Sequence, residues 1–127
     1  MTLRESLESH RRAFLESLRA RGRSPATLQA YGLALRKFSR FVQARKTRHL
    51  SAVTPHVLHA YQDALASYSP ASRAAWLGAL RLFFAHLAGR GVIRENAGAA
   101  IVIPKLPDRL PKKILTQEEI GRIMAAP

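Results

Sequence analysis

Gln29, Arg36, Lys37, Arg40 and Gln43 are the side chains of this sequence best placed to act on another molecule. At 100° per residue on one helix, Gln29, Arg36, Arg40 and Gln43 share a face, with Lys37 beside them, opposite an apolar stripe. Guanidinium and carboxamide groups can fork onto guanine or adenine edges in a major groove, and all five side chains can hold phosphate. An ordinary solvated helix face would have the same spacing, but it would mix its signs. Here no acidic residue lies between Glu16 and Asp63, while nine basic ones do: Arg19, Arg21, Arg23, Arg36, Lys37, Arg40, Arg45, Lys46 and Arg48. Such a stretch suits a polyanion. Leu33, on the same face, departs from a purely electrostatic reading and fits a contact to DNA sugars, a thymine methyl or another protein.

Other chemistries find no support. Of the five histidines, His10, His49, His56, His59 and His86, only His56 and His59 form a helical pair, and no acid stands where it would complete a metal site. Glu118 and Glu119 are helix-start residues that favour the dipole, not a general acid and base. There is no Gly-rich phosphate loop and no defensible Ser-His-Asp pattern. Tyr31, Tyr61 and Tyr68 fall at or near apolar positions and read as core. No catalytic residue, metal or cofactor is expected.

The whole chain is basic. Its 127 residues carry 21 Lys plus Arg against 8 Asp plus Glu, a formal net charge of +13, yet 47% are apolar, so it can fold. That length supports one full core. Nucleic acid, through its phosphate backbone, is the expected partner ahead of a membrane surface or an acidic protein, and no helix sets Trp and Leu opposite Lys as membrane-surface anchors do. Absence of cysteine excludes disulfides and fits a reducing cytosol. Met1-Thr2-Leu3-Arg4-Glu5 begins an amphipathic pattern rather than a signal core, and no run approaches 18 apolar residues, so the chain reads as cytoplasmic.

The elements that must position the basic row are helices. Leu3, Leu7, Phe14 and Leu18 with Gly22 as a stop predict a helix over 3–21. Its Arg4, Arg11, Arg12 and Arg19 alternate with Glu5, Glu8 and Glu16, which predicts a mostly solvated face with intrahelical pairs. Ser24-Pro25 starts a second helix over 25–45, with Leu28, Tyr31, Leu35, Phe38 and Val42 as its stripe. Thr54-Pro55 starts a third over 55–67 on Val57, Leu58, Tyr61 and Leu65. Ser69-Pro70 starts a fourth over 70–88, whose Trp76, Leu77, Leu80, Phe83, Phe84 and Leu87 cover most of its circumference, as in a central bundle helix. On its minor face Ala71, Ala75 and Gly78 are small, suiting close approach to another surface or close packing within the bundle, and Arg73 and Arg81 flank the core stripe. Asn96-Ala97-Gly98 looks like a turn or a short helix start. Three prolines in Pro104-Lys-Leu-Pro-Asp-Arg-Leu-Pro111 predict a stiff linker. Thr116 and Glu119 form a capping box that opens a further helix through Ile120, Ile123 and Met124. With little beyond it to pack against, the expectation is a piece of a longer protein. The fold class is all-α, without strands.

Three segments in order, Ser24-Pro-Ala-Thr27-Leu28 with Tyr31, Leu77-Gly-Ala-Leu-Arg81-Leu-Phe-Phe84 and Pro104-Lys-Leu-Pro-Asp-Arg-Leu-Pro-Lys112, resemble the N-terminal core-binding (SAM-like) domain of Xer-type tyrosine recombinases and phage integrases. The similarity runs from about residue 8 to 124. It implies a four-helix DNA-binding domain over 1–103, a linker over 104–114, and the start of a catalytic domain over 115–127, the two domains closing as a clamp on duplex DNA. The resemblance lays the second and fourth helices against the recombination site. The nucleophilic tyrosine and its activators would belong to the catalytic domain, so none maps onto this chain. The expected DNA-binding set is Thr27, Gln29, Arg36, Lys37, Arg40, Gln43, Arg73, Arg81, Lys105, Lys112 and Lys113. Self-association or a paired recombinase would follow in the DNA-bound synapse. Two positions depart from the family pattern: Asn96-Ala97 stands for the usual Asn-Pro, which bears on the turn before the linker, and Gly78 stands where Ser is common, which removes a hydroxyl from a candidate phosphate contact. Alternatives from other classes are a stand-alone helical adaptor or transcription factor that binds DNA without cutting it, and a protein-interaction module.

Overall fold

The computed structural model describes residues 2–104, and every regular element there is helical. α1 spans Leu3–Ala20, α2 Pro25–Ala44, α3 Pro55–Ala64 and α4 Pro70–Gly89, with short 3₁₀ turns at Leu50–Ala52 and Ala97–Ala100. The predicted helix at Thr116 and nearly all of the predicted linker lie outside the described residues.

Local chemistry explains the starts. Ser24 and Ser69 accept hydrogen bonds from the backbone N–H groups of Thr27 and Ser72, and a proline occupies the next position, where its missing N–H costs nothing. α1 has a full capping box: the Thr2 hydroxyl accepts from the Glu5 N–H, and the Glu5 carboxylate accepts from the Thr2 N–H.

The ends of α1, α2 and α4 share one geometry. An arginine caps each helix (Arg21, Arg45, Arg90), the next residue has positive φ, and the N–H after that reaches back to a carbonyl five residues earlier, from Arg23 to Leu18, Thr47 to Val42 and Val92 to Leu87. This is the Schellman arrangement. Gly22 and Gly91 suit the left-handed position, but in α2 it falls to Lys46, at φ 60°.

α1 and α2 pack side by side, and α4 meets both. Phe38 is buried against Tyr61 and Phe84, with ring centroids 5.1 and 5.9 Å away, and Phe14 meets Phe83 edge-on at 5.5 Å. Edge-to-face pairs of this kind hold orientation as well as area. α3 is three residues shorter than expected. Leu65 is buried as predicted, but as the C-cap residue, and the chain turns over 65–67 to bring Ser69 into place.

After α4 the chain folds back as a strap over 97–104. Asn96 caps its turn by accepting from the Gly98 N–H at 3.0 Å, so the turn forms with Ala97 in the place of proline. Gly98 lies so close to α4 that a Cβ there would come within 2.7 Å of the Phe84 Cβ. Arg81 Nη2 donates to the Ile101 carbonyl at 2.9 Å, and the Val102 N–H donates to Gln62 Oε1 at 3.0 Å, pinning the strap to α4 and α3.

Candidate nucleic-acid interface

The apolar stripe of α2 is turned inward. Leu35, Phe38 and Val42 are buried and Leu28 and Tyr31 partly so, which fixes the rotation of the helix and sends Gln29, Arg36 and Arg40 to the exposed side with Gln43. Gln43 donates to the Ser39 hydroxyl at 2.8 Å, a bond along its own helix. Leu33 lies among them at 56% exposure. The structure thus brings four of the expected residues into one outward row.

The other expected residues among those described are occupied. Lys37 extends toward α4, where its ammonium lies 4.6 and 4.7 Å from the ring centres of Tyr68 and Trp76 and donates to the Tyr68 hydroxyl at 3.3 Å. Cation–π contact with two rings gives this lysine a seat within the protein. Tyr68, read from sequence as core, is exposed and forms part of that seat. Thr27 accepts from the Ser24 hydroxyl at the start of α2. Arg73 Nε donates to the Tyr68 carbonyl at 3.1 Å, stiffening the α3–α4 connection, and Arg81 holds the strap. Lys105, Lys112 and Lys113 lie outside the described residues.

On the minor face of α4, Ala71 and Ala75 are open to solvent, whereas Gly78 is half-buried and faces Ile103 of the strap. His56 and His59 are both exposed, and among the described residues no cluster of His, Asp and Glu could hold a metal ion. No helix of the described residues is long and apolar enough to cross a membrane.

α1 does more than a solvated face would. Its intrahelical pairs form, Arg12 to Glu8 at 3.4 Å and Arg19 to Glu16 at 3.9 Å. Arg11, however, is mostly buried: Nη2 and Nε both donate to the Glu8 carboxylate, at 2.6 and 3.2 Å, and its guanidinium lies across α2. That bonding, more than the positive charges nearby, holds the Glu8 carboxyl below the usual carboxylate range. A Cβ at Gly32 would sit 3.2 Å from Arg11 Nη1. A glycine inside a helix costs about 1 kcal/mol relative to alanine, and this one opens room for a neighbouring side chain. Gly32 in the middle of an otherwise strong helical pattern is the one sequence signal that could have exposed the Arg11 contact.

Residues 12–91 match the family described as phage integrase, N-terminal SAM-like domain. The chain is 35% identical over 117 residues to a protein named tyrosine recombinase XerD from Proteus mirabilis, covering 90% of this chain and 37% of that one. It is 35% identical over 109 residues to tyrosine recombinase XerD from Vibrio vulnificus (strain YJ016), covering 84% and 35%. To tyrosine recombinase XerC from Myxococcus xanthus it is 32% identical over 117 residues, covering 91% and 38%. It therefore spans a little over a third of the length of these relatives. No solved structure matches the chain. With more than half of its residues, from within α1 to just past the end of α4, matched by that family, this chain belongs to the phage integrase N-terminal SAM-like domain family.

Proposed function

We propose that residues 1–103 form the DNA-binding arm of a tyrosine site-specific recombinase, gripping duplex DNA at a recombination half-site. On this reading 104–114 link the arm to a catalytic unit beginning near 115, which would cut and rejoin strands through a phosphotyrosine intermediate, and a second recombinase would pair with it in the synapse. The observation that carries the proposal is the outward row of Gln29, Arg36, Arg40 and Gln43 on a helix without any acidic residue. Family membership and the names of the relatives support it. The row supplies phosphate contacts that fix register, and its Arg and Gln forks supply base-edge contacts if the ridge of α2 enters a major groove. Lys37 joins the interface only by leaving its aromatic seat, so Arg36 and Arg40 carry the larger share.

Duplex binding measured by fluorescence anisotropy at several salt concentrations tests this. A surface that neutralises about four to six phosphates gives a slope of log K against log salt of roughly −4 to −5, at about −0.9 per contact. Arg36→Ala with Arg40→Ala should leave the melting temperature nearly unchanged, since surface changes away from caps stay within about 0.5 kcal/mol. The same pair should flatten the slope by about one unit per lost contact. Unchanged affinity and slope in the double variant would remove α2 from the interface.

A further inference from the structure

The seam between α1 and α2 is a groove of two adjoining depressions that share Arg11 and Arg36. Its Arg4 half, about 340 Å³, has a floor of Leu7, Leu35 and Phe38. Arg4 and Arg11 stand on one wall, and Arg36 and Arg40 on the other. Glu8 is the lone carboxylate there, and both of its oxygens are engaged by Arg11, one of them also by Arg12. It therefore makes no contact that would neutralise Arg4, Arg36 or Arg40. Arg11 is preorganised: its side chain is 15% exposed against 78% for Arg12, two of its nitrogens are fixed by Glu8, and Gly32 leaves space for the third. Among the described residues that third nitrogen, Nη1, has no hydrogen-bond acceptor. A fixed fork with a free donor, beside three further guanidiniums, is the geometry that receives a phosphate oxygen.

We propose that this groove is a phosphodiester seat, in which Arg11 and Arg4 of α1 hold backbone phosphates of the same duplex that Arg36 and Arg40 meet from α2. The inference rests on the nucleic-acid reading above and adds α1 to its footprint. Phosphate is favoured over a carboxylate-bearing chain because Arg36 and Arg40, the groove's outer wall, are themselves members of the exposed row. An anion bound there is continuous with one bound along α2, as the phosphates of one strand are.

The test is duplex affinity across a salt series for Arg11→Gln, Arg4→Gln and Arg36→Ala, with melting temperatures for each. Arg4 is exposed, so its variant decides the matter if Arg11→Gln folds poorly. We expect Arg11→Gln and Arg4→Gln each to lower the magnitude of the salt slope by about one unit, and Arg11→Lys, which keeps the charge without the fork, to recover the slope but only part of the affinity. If the α1 variants leave the slope unchanged while Arg36→Ala flattens it, the seat is overturned and the α2 reading stands. If Arg36→Ala is also silent, the nucleic-acid reading fails and the seat with it. A lower melting temperature with an unchanged slope would make Arg11 a structural bridge only. Tighter binding of poly-glutamate than of the duplex, lost in the same variants, would overturn the assignment to phosphate.

Discussion

Two titratable side chains show how burial sets behaviour at the scale of a residue. Tyr61 is buried between Phe38 and Phe41, and its hydroxyl has no hydrogen-bond partner among the described residues. Burial, helped by Tyr68, raises its phenol well above the ordinary value of 10. An unsatisfied buried hydroxyl costs about 1 to 3 kcal/mol, so Tyr61→Phe should hold or raise the unfolding free energy, by up to that amount, in urea melts at pH 7. The raised pKa also means that native stability is present below pH 10 and declines above it, as the unfolded chain loses the proton more readily. The phenylalanine variant should lack that part of the alkaline decline. His86 works in the opposite sense. It packs edge-on against Phe14 at 5.3 Å, and burial first, then the charges of Arg90, His10 and Arg21, lower its pKa from 6.5. The folded state resists protonating it, so its contribution is present above pH 6.5 and lost as the pH falls through the depressed value. Melting temperatures should begin to drop below about pH 6.5 in the native protein and stay flatter in His86→Gln. Glu8 cannot mimic this, since its lowered pKa places its loss in the more acidic range below 4.5.

At the scale of an element, the helices were legible wherever a local rule decided them. Ser-Pro pairs marked the starts of α2 and α4 within the chain, and apolar periodicity gave the buried faces because those residues had nowhere else to go. Endings were less legible. Leu65 kept the period of α3 although the backbone had already turned, because tertiary packing, not helix continuation, buries it. Lys46 carries no turn signal at all, yet it occupies the left-handed position that glycine fills after α1 and α4. Its strain is imposed by the Schellman bonds from Lys46 to Gln43 and from Thr47 to Val42. Outside glycine that conformation costs roughly 1–2 kcal/mol, so Lys46→Gly should stabilise the bundle by up to about 1 kcal/mol, after the greater chain entropy that glycine brings to the unfolded state. Thermal melts would show the gain, and a lower melting temperature would mean that the lysine side chain contributes more than its backbone costs. Within the site, the outward row of α2 could be read from spacing alone; Gly32 marks that something approaches α2, but that the visitor is Arg11, and that Lys37 is seated on Tyr68 and Trp76, depends on which elements lie alongside, which no single-helix pattern holds.

At the scale of the whole molecule, the charged face and the strap lie on different elements, and one substitution can separate them. α3 meets the bundle through α2 and through the 97–100 turn, which also packs on α4, so the strap joins α3 to the central helix. That joint depends on Gly98, where a Cβ would come within 2.7 Å of the Phe84 Cβ and 3.0 Å of Asn96 Oδ1. Neither neighbour is the far end of a flexible chain: Phe84 Cβ is anchored to the backbone of α4, and Asn96 Oδ1 is already used in the cap of the same turn. Gly98→Ala must therefore lift the strap or shift α4, an overpacking that costs about 1–3 kcal/mol. Lifting the strap also strains the bonds from Arg81 to the Ile101 carbonyl and from Val102 to Gln62, so hydrogen exchange should rise first at Val102 and along α3. The row on α2 carries none of these contacts. Below its lowered melting temperature the variant should bind duplex DNA with the native salt slope, while Arg36→Ala with Arg40→Ala does the reverse, keeping the melting temperature and losing the slope. If Gly98→Ala instead flattened the slope in the fully folded range, the strap and its Arg81 would belong to the DNA-contacting surface, and the division of labour between the two faces would be wrong.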